Sequence, residues 1–436
     1  MSIASTAAAG GIAERNAAWG AGLAAFAVAV FLFTPRASPG ALGLLALAMG
    51  AATGFAVGFR ELLRLPLAAV LVAALGGWGL VSLGWAADQK EALGKSLMLI
   101  GFTLATVSVQ TLVRHAEPVA LRRIAVAVLV TFAAGVFYLI VEEMTDHLLK
   151  RTFFRTLPFT MPVGKLVTNP DGDISLAGYI SNRNMAAMVL ASWPVLLIAI
   201  VMADGARKRM AVVAVAALAF VAMAMSVHET SIIAVAAGSI VFAVAFFRPK
   251  VGLGVVAAGW LIATLLVVPL VSWASSGAQL HSATWLPNSA RHRIVLWAYT
   301  AEQVRLRPLT GVGAASTKLI DARRGPRVAP LPGTNYEWRS GPHAHNVYLQ
   351  TWYELGAFGA LLLCAAGLAL IAGLSRLPLR AQPYAAAAVT TAAVMAAFSW
   401  GMWQAWFLGV FMVSAVLMTI AIQTVRHGEV ATGVGT

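Results

Sequence analysis

Charged residues and cysteine are scarce in this sequence. Only 11% of its 436 residues are charged, against roughly a quarter in soluble domains, whereas 60% are hydrophobic. This composition excludes a soluble globular domain and predicts a protein that crosses a membrane many times. The single cysteine, Cys364, excludes an intramolecular disulfide and any zinc site built from paired cysteines. The loops must therefore be held by packing and hydrogen bonds.

Acidic residues are also few, since 17 aspartates and glutamates stand against 31 lysines and arginines. In a soluble protein the formal net charge of +14 would indicate a nucleic-acid partner. The distribution of these charges matters more than their sum, because they flank apolar runs and fill one long loop. We therefore expect no nucleic-acid partner.

Twelve apolar runs have the length of about 20 residues that a helix needs to cross a bilayer. They lie at about 17–34, 40–59, 65–85, 93–113, 121–141, 184–203, 210–226, 230–247, 250–272, 346–373, 382–399 and 403–423. The sequence therefore predicts an all-α polytopic membrane protein. Basic residues concentrate in alternate connections, so the positive-inside rule places both termini in the cytoplasm. We interpret the first run as a retained helix rather than a cleaved signal peptide.

Two long connections, both on the predicted outer side, divide the chain into five regions. These are spans 1–5 at residues 1–141, a first long loop at 142–183, spans 6–9 at 184–272, a large basic loop at 273–345, and spans 10–12 with a cytoplasmic tail at 346–436. Connections much longer than ~15 residues are uncommon unless they are functional or disordered. The large basic loop is rich in tryptophan and tyrosine, which argues against disorder.

The large basic loop carries eight arginines and one lysine against three acidic residues. Because guanidinium pairs bidentately with phosphate, these residues favour a fixed anionic partner. Attraction to anionic lipid headgroups is the simpler alternative. An amphipathic helix is predicted from Arg291 to about Arg305, capped by Ser289 and ended by Pro308. Its first turn contains Arg291 and Arg293, where backbone N–H groups also favour an anion.

The stretch from Gly341 to Gly359 closes this loop and opens an apolar helix, so His343 and His345 should lie where water meets the membrane. A neutral imidazole, with a pKa near ~6.5, can accept a proton from a sugar hydroxyl. Two solvated histidines in a helix cap are the simpler alternative.

Polar residues within the spans are scarce, and Glu354 is the main exception. A carboxylate at that depth should face the protein interior, where it orients a partner or neutralises an arginine. Gly356 and Ala360, four residues apart, are typical of close helix packing.

Two features of the first long loop are candidates for binding. Asp171-Gly172-Asp173 is similar to the paired carboxylates that hold a divalent metal in many glycosyltransferases, although an acidic surface turn is commoner. Arg183 lies just before the sixth span. It either extends its charge to the interface or completes a basic pocket.

The chain resembles the O-antigen ligase family at three places. The H[NSQ]x9GxxG signature of these ligases is similar to His345-Asn346, followed after nine residues by Gly356-Ala357-Phe358-Gly359. The R-x3-W…P-x2-G-x-G pattern of the wider ligase and polymerase superfamily resembles Arg293, Trp297, Pro308, Gly311 and Gly313. The N-R-N element of that superfamily resembles Arg183-Asn184. The layout of spans and late periplasmic loop also matches. One departure is Ser226-Val227-His228-Glu229, which lacks the arginine of the family's serine–arginine element.

The resemblance implies a metal-independent inverting glycosyltransferase, with a fold related to the GT-C class, in a Gram-negative inner membrane. Its donor would be O-antigen on undecaprenyl pyrophosphate, its acceptor lipid A core, and its active site periplasmic. Neither metal nor cofactor is expected, and membrane lipids complete the partners. His345 is the expected catalytic base. The expected substrate-binding residues are Arg183, Arg291, Arg293, Arg339, His343 and Asn346.

Other functions stay open. An O-antigen polymerase or a protein O-oligosaccharyltransferase of the same superfamily would share the donor and differ in the acceptor. A twelve-span secondary transporter usually has midplane charges and related halves, whereas this sequence has few buried charges and no repeat. A metal site built from His281, His292, His343 and His345 has no ligand spacing beyond a single HxH.

Overall fold

Helices dominate the computed structural model, which describes residues 3–157, 166–168, 174–176, 178–325 and 328–432. The α-helices are α1 (Ile3–Phe33), α2 (Ser38–Ala52), α3 (Phe59–Leu62), α4 (Leu67–Val81), α5 (Gln89–His115), α6 (Pro118–Met144), α7 (Leu148–Thr156), α8 (Asn182–Met202), α9 (Ala206–Met225), α10 (Glu229–Phe247), α11 (Pro249–Leu265), α12 (Val267–Ser272), α13 (Asn288–Leu306), α14 (Thr317–Arg323), α15 (Val347–Leu374), α16 (Gln382–Phe398) and α17 (Ala405–Thr432). Two short antiparallel strands, β1 (Leu166–Thr168) and β2 (Ile174–Leu176), pair with Val167 opposite Ser175.

A helix lies at each of the twelve predicted spans, which confirms the polytopic membrane class. In the described part of the chain, nine helices are long and apolar enough to cross a membrane, or up to ten if a bent pair counts as one span. That pair, α11 and α12, is bent by 70°. Pro269 explains the bend, because its ring clashes with the carbonyl four residues earlier, at Leu265. The helices at the other two predicted spans, α2 and α16, have 15 and 17 residues and are short for crossing a membrane.

The chain forms two compact units. Unit 1 contains Met1–Leu62, Ser108–Ser239 and Gly409–Thr436, and unit 2 contains Leu63–Val107 and Ile240–Leu408. In unit 1, α1 packs along α2 and α6. The packing is close because small residues line it: a Cβ on Gly20 would lie 3.0 Å from the Ala48 carbonyl oxygen. In unit 2, α15 packs against α4, α11, α13 and α16.

The amphipathic helix predicted in the large basic loop is α13, and its apolar face is buried. The expected cap was wrong. The helix begins at Asn288, the residue before it is Pro287, and no side chain caps it. Its end at Leu306 agrees with the prediction, because Pro308 disfavours a helical conformation in the residue before it.

Candidate functional site

Helix α15 is interrupted at the first glycine of the predicted GxxG element. Gly356 has φ 63° and ψ −162°, a conformation that side chains with a Cβ essentially do not adopt. A Cβ at this position would lie 2.2 Å from the Leu309 carbonyl oxygen. The interruption removes helical hydrogen bonds from the turns on either side, so their backbone groups need other partners.

The segment from Pro308 to Gly313 supplies those partners. Its backbone hydrogen bonds with α15 are Ala357 N to Pro308 O at 2.8 Å, Val312 N to Tyr353 O at 3.0 Å, Gly313 N to Glu354 O at 2.8 Å and a longer one from Phe358 N to Leu309 O at 3.5 Å. The two glycine elements of the sequence are therefore the two sides of one contact. We had expected Gly356 and Ala360 to allow close helix packing; at Gly356 the close neighbour is this loop segment instead.

Glu354 lies directly before the interruption and is fully buried. Five hydrogen bonds reach its carboxylate: from Ala315 N at 2.8 Å, Thr317 N at 3.2 Å, Thr317 Oγ1 at 2.5 Å, Gln350 Nε2 at 3.1 Å and Trp403 Nε1. The prediction that it faces the interior is confirmed. Its charge is stabilised by neutral donors rather than by the arginine we had considered, and it ties α15 to two loops.

His345 lies just before α15 and has a left-handed backbone conformation, with φ 54°. Its Nδ1 is 2.6 Å from the backbone carbonyl oxygen of Ser399, in the loop between α16 and α17. A carbonyl oxygen can only accept a hydrogen bond, so Nδ1 carries the proton and Nε2 keeps its lone pair. This is the tautomer that a general base acting through Nε2 requires.

A second imidazole and a guanidinium group lie beside this histidine. The ring centroids of His343 and His345 are 4.2 Å apart, and Nε2 of His343 is 3.4 Å from Nε2 of Gln404. Arg293, on α13, donates from Nη1 to the Phe398 carbonyl oxygen at 2.6 Å. The structure therefore brings together three of the predicted site residues within unit 2.

The loop after α16, residues 399–404, was missed by the sequence reasoning although it holds this cluster in place. It supplies the carbonyl of Ser399 and the amide of Gln404, and its tryptophan Trp403 donates to Glu354. The signal available in the sequence was the break between the last two apolar runs, where two tryptophans, a glycine and a methionine lie between Ser399 and Gln404.

Burial lowers the pKa of both histidines. For His345 the burial effect is opposed by the hydrogen bond to Ser399 and reinforced by the positive charge of Arg293. For His343, burial followed by the neighbouring His345 and Arg293 lowers the pKa to about 3. Both imidazoles are therefore neutral at neutral pH, as a proton acceptor must be.

Two more predicted substrate-binding residues lie close in sequence to this cluster. Arg291 is in the first turn of α13, two residues before Arg293. Asn346 caps α15, its Oδ1 accepting a hydrogen bond from Leu349 N at 2.9 Å. The cap explains why an asparagine follows the histidine, because it satisfies a donor at the helix start.

Arg339 has a different position from the one expected of a substrate-binding residue. It forms two hydrogen bonds with the carboxylate of Asp321, at 2.8 Å and 2.7 Å, and a third with Glu337 at 3.2 Å. The hydrogen bond to Asp321 raises the pKa of this guanidinium above its already high value. These contacts hold the end of the large basic loop to α14, and substrate binding by Arg339 stays a prediction.

Arg183 belongs to unit 1, at the start of α8, where its charge interacts with that of Arg36. The next residue, Asn184, is buried and donates to the carbonyl oxygens of Leu32 at 2.7 Å and Phe33 at 2.9 Å. Lys150 in turn donates to Oδ1 of Asn184 at 3.3 Å. The asparagine therefore anchors α8 to the end of α1, which fixes the backbone that carries Arg183.

In the described parts of the chain, no group of three or more histidine, cysteine, aspartate or glutamate residues is placed to hold a metal ion. The pair Asp171 and Asp173 falls outside the described residues.

Comparisons with known proteins agree with the sequence motifs. The family described as O-Antigen ligase matches residues 213–364, a range that includes Arg293, His345 and the glycine element of α15. A protein of Rickettsia felis named "Putative polysaccharide ligase" is 25% identical over 254 residues, covering 56% of this chain and 59% of the relative. A similarly named protein of Rickettsia typhi is 27% identical over 196 residues, covering 43% and 45%. The chain thus matches well under two thirds of these relatives' length. Together, the matches confirm the resemblance to the O-antigen ligase family, whose model matches residues 213–364.

Proposed function

We propose that this membrane protein is an O-antigen ligase. It transfers O-polysaccharide from undecaprenyl pyrophosphate to a sugar hydroxyl of lipid A core, with inversion at the transferred sugar and without a metal. The reaction takes place on the periplasmic face of a Gram-negative inner membrane. The family match and the names of the relatives support polysaccharide transfer, and the donor and acceptor follow from the family resemblance.

The observation that carries this proposal is the hydrogen bond between Nδ1 of His345 and the Ser399 carbonyl. It fixes the neutral tautomer, in which Nε2 is the proton acceptor. The lowered pKa of His345 keeps that tautomer populated at neutral pH. The arrangement suits deprotonation of a sugar hydroxyl, a poor nucleophile unless a base accepts its proton.

The reaction is a single displacement. Nε2 of His345 takes the hydroxyl proton as the acceptor oxygen attacks the anomeric carbon of the donor sugar. The bond between that carbon and the diphosphate oxygen breaks, and the electron pair leaves with the polyprenyl diphosphate. The leaving group is already a stable anion, so it needs positive charge rather than a general acid. Arg291 and Arg293, which belong to the same unit as His345, are the proposed sources of that charge. Arg183 is proposed separately as a residue that binds the donor.

Replacing His345 with glutamine tests the base. Purified protein in proteoliposomes, given lipid-linked polysaccharide and lipid A core, should lose about a hundredfold or more in transfer rate. His115→Gln is the matched control, because its Nδ1 also lies near a backbone carbonyl, that of Thr111 at 2.9 Å. Normal transfer by a well-folded His345→Gln protein would remove the catalytic assignment.

The acceptor separates this proposal from its alternatives within the superfamily. Lipid A core, lipid-linked oligosaccharide and a pilin-type protein acceptor should be offered with the same donor. Transfer to lipid A core identifies a ligase, transfer to the lipid-linked sugar a polymerase, and transfer to protein an oligosaccharyltransferase.

A further inference from the structure

An apolar cavity of about 360 Å³ lies inside unit 1, between α6, α8, α9 and the middle of α10. This volume is in the range of small-molecule binding pockets. Aliphatic and aromatic side chains form its walls, interrupted by Ser192 and Ser239. The hydroxyl of Ser192 already donates to the Met188 carbonyl at 2.8 Å. A lining of this kind selects a ligand that is apolar along its length.

The cavity is elongated along the helices. Its lining residues extend from Met188 to Ala199 on α8 and from Ala211 to Met223 on α9. At 1.5 Å per residue these stretches are about 17 Å and about 18 Å long. They cover more than half of a hydrocarbon core of about 30 Å. An extended chain lying parallel to the helices fits this shape better than a compact ligand.

The helix on one side of the cavity is exposed to the bilayer. Only 11% of the membrane-spanning window of α9 is buried, whereas 67% of that of α8 is buried. Helix α9 packs mainly against α6 and α8, so the helix that separates the cavity from the bilayer has few other packing contacts. A lipid chain could therefore enter sideways between α9 and its neighbours without leaving the hydrocarbon.

Two arginines mark one end of the cavity. Arg183 precedes the lining residue Met188 by five residues on α8, a rise of about 7.5 Å. Arg36 lies in a short 3-10 helix, Pro35–Ala37, that contacts α8, and its positive charge interacts with that of Arg183. Two guanidinium groups so placed attract one anionic group, and phosphate oxygens match their geometry. An anionic head and an apolar tail thus find complementary surfaces along one helix.

We infer that this cavity binds the isoprenoid tail of the lipid-linked donor, with its diphosphate at Arg36 and Arg183. The identity of the donor rests on the proposed function; the site for its tail rests on the cavity and the arginines. The acyl chain of an anionic phospholipid is the competing occupant, and competition with phosphatidylglycerol distinguishes it from the donor tail.

Filling the cavity tests the inference through the length of the donor chain. Ala133→Phe on α6 and Ala219→Phe on α9 place a ring in the lining, whereas Ala134→Phe and Ala217→Phe place one at exposed positions outside it. Transfer rates should be measured with the same sugar on undecaprenyl and on geranyl diphosphate. The filled variants should raise KM for the undecaprenyl donor about tenfold, the loss expected from excluding two buried carbons. KM for the geranyl donor and kcat should stay unchanged, and the controls should resemble the parent protein.

A second measurement does not depend on transfer. An undecaprenyl diphosphate carrying a photoreactive diazirine in its tail should label peptides of α8 and α9 that line the cavity, and Ala219→Phe should abolish this labelling. Excess unlabelled undecaprenyl diphosphate should suppress it, and excess phosphatidylglycerol should not. Labelling elsewhere, equal competition by phosphatidylglycerol, or an unchanged KM in both filled variants would overturn the inference. If the cavity is labelled but no acceptor gains sugar, the tail site stands and the proposed function fails.

Discussion

Each unit of this protein buries a glutamate completely, and the two are stabilised in different ways. Glu354 in unit 2 accepts five hydrogen bonds, all from neutral donors. Glu142 in unit 1 accepts one from Lys150 N at 3.2 Å, while its Oε2 has no hydrogen-bond partner among the described residues. Two titratable nitrogens, Lys150 Nζ and His147 Nδ1, each lie 4.0 Å from that oxygen.

The surroundings of Glu354 are therefore rigid, whereas Glu142 lies in a cluster of titratable groups with His147 and Lys150. Neutral donors keep their hydrogen bonds at any physiological pH, so Glu354 can hold the loops around His345 in one geometry. The Lys150 ammonium and the His147 imidazole change charge with pH, so the surroundings of Glu142 change too. The site proposed for proton transfer thus lies in the unit whose buried carboxylate is held by donors that do not change charge.

The largest effect should come from adding a methyl group at Gly356, where α15 contacts the segment from Pro308 to Gly313. Gly356→Ala places a Cβ 2.2 Å from the Leu309 carbonyl oxygen in a conformation that alanine avoids. We expect a loss of more than about 4 kcal/mol in unfolding free energy, seen as a collapse of the melting temperature in detergent. Gly373→Ala, in the same helix with open space around it, is the control and should melt at or above the parent temperature. Equal melting of both variants would contradict the tight contact.

Replacing each buried carboxylate with an amide tests the comparison directly. Glu354→Gln turns an NH2 group toward at least two hydrogen-bond donors, so it should lower the free energy of unfolding by about 4 kcal/mol. Glu142→Gln can keep the bond from Lys150 N and direct its NH2 to the side without a hydrogen bond, so it should cost less than about 1 kcal/mol. Thermal unfolding of the two purified variants measures the difference. Equal losses would show that the hydrogen-bond count does not decide the stability.

The pH dependence of stability should carry the signature of Lys150. Burial lowers the pKa of this ammonium from 10.5 to about 8, against the smaller opposing effect of Glu142. Between these two values the unfolded state binds more protons than the folded state, so stability rises with pH from about 8 to 10.5 and is flat on either side. The rise should be about 3 kcal/mol. Lys150→Met should abolish it, and a parent protein without the rise would contradict the burial of a charged lysine.

The smallest expected effect is on the acid limb of the transfer rate. The pKa of His345 is lowered mainly by burial, so the rate should fall only below pH 6.5, the ordinary value. Arg293→Gln removes a charge that lowers this pKa, so the acid limb should move toward higher pH even as the overall rate drops. Kinetic profiles of the two proteins measure the shift. An acid limb that moves toward lower pH would show that Arg293 does not lower the pKa of His345.

Much of the fold and part of the site could be predicted from the sequence. The apolar runs located a helix at each of the twelve positions, because the hydrocarbon core requires helices of a set length and composition. The histidine signature and the basic helix identified His343, His345 and Arg293, which the structure places together. The same reasoning misread Gly356 as a helix-packing residue and Ser289 as a cap, because both depend on backbone torsions that residue type alone does not fix.

The sequence by itself determined that this chain spans a membrane, and it suggested which residues could carry out the proposed sugar transfer, because solvation and side-chain pKa belong to residue types. Only the tertiary structure decided which nitrogen of His345 is available, since that depends on a carbonyl at Ser399, 54 residues away. It also decided that an interrupted helix is repaired by the segment around Gly311, and that Glu354 is held by donors from two loops. Contacts between segments distant in sequence create these features, and no local pattern of residue types specifies them.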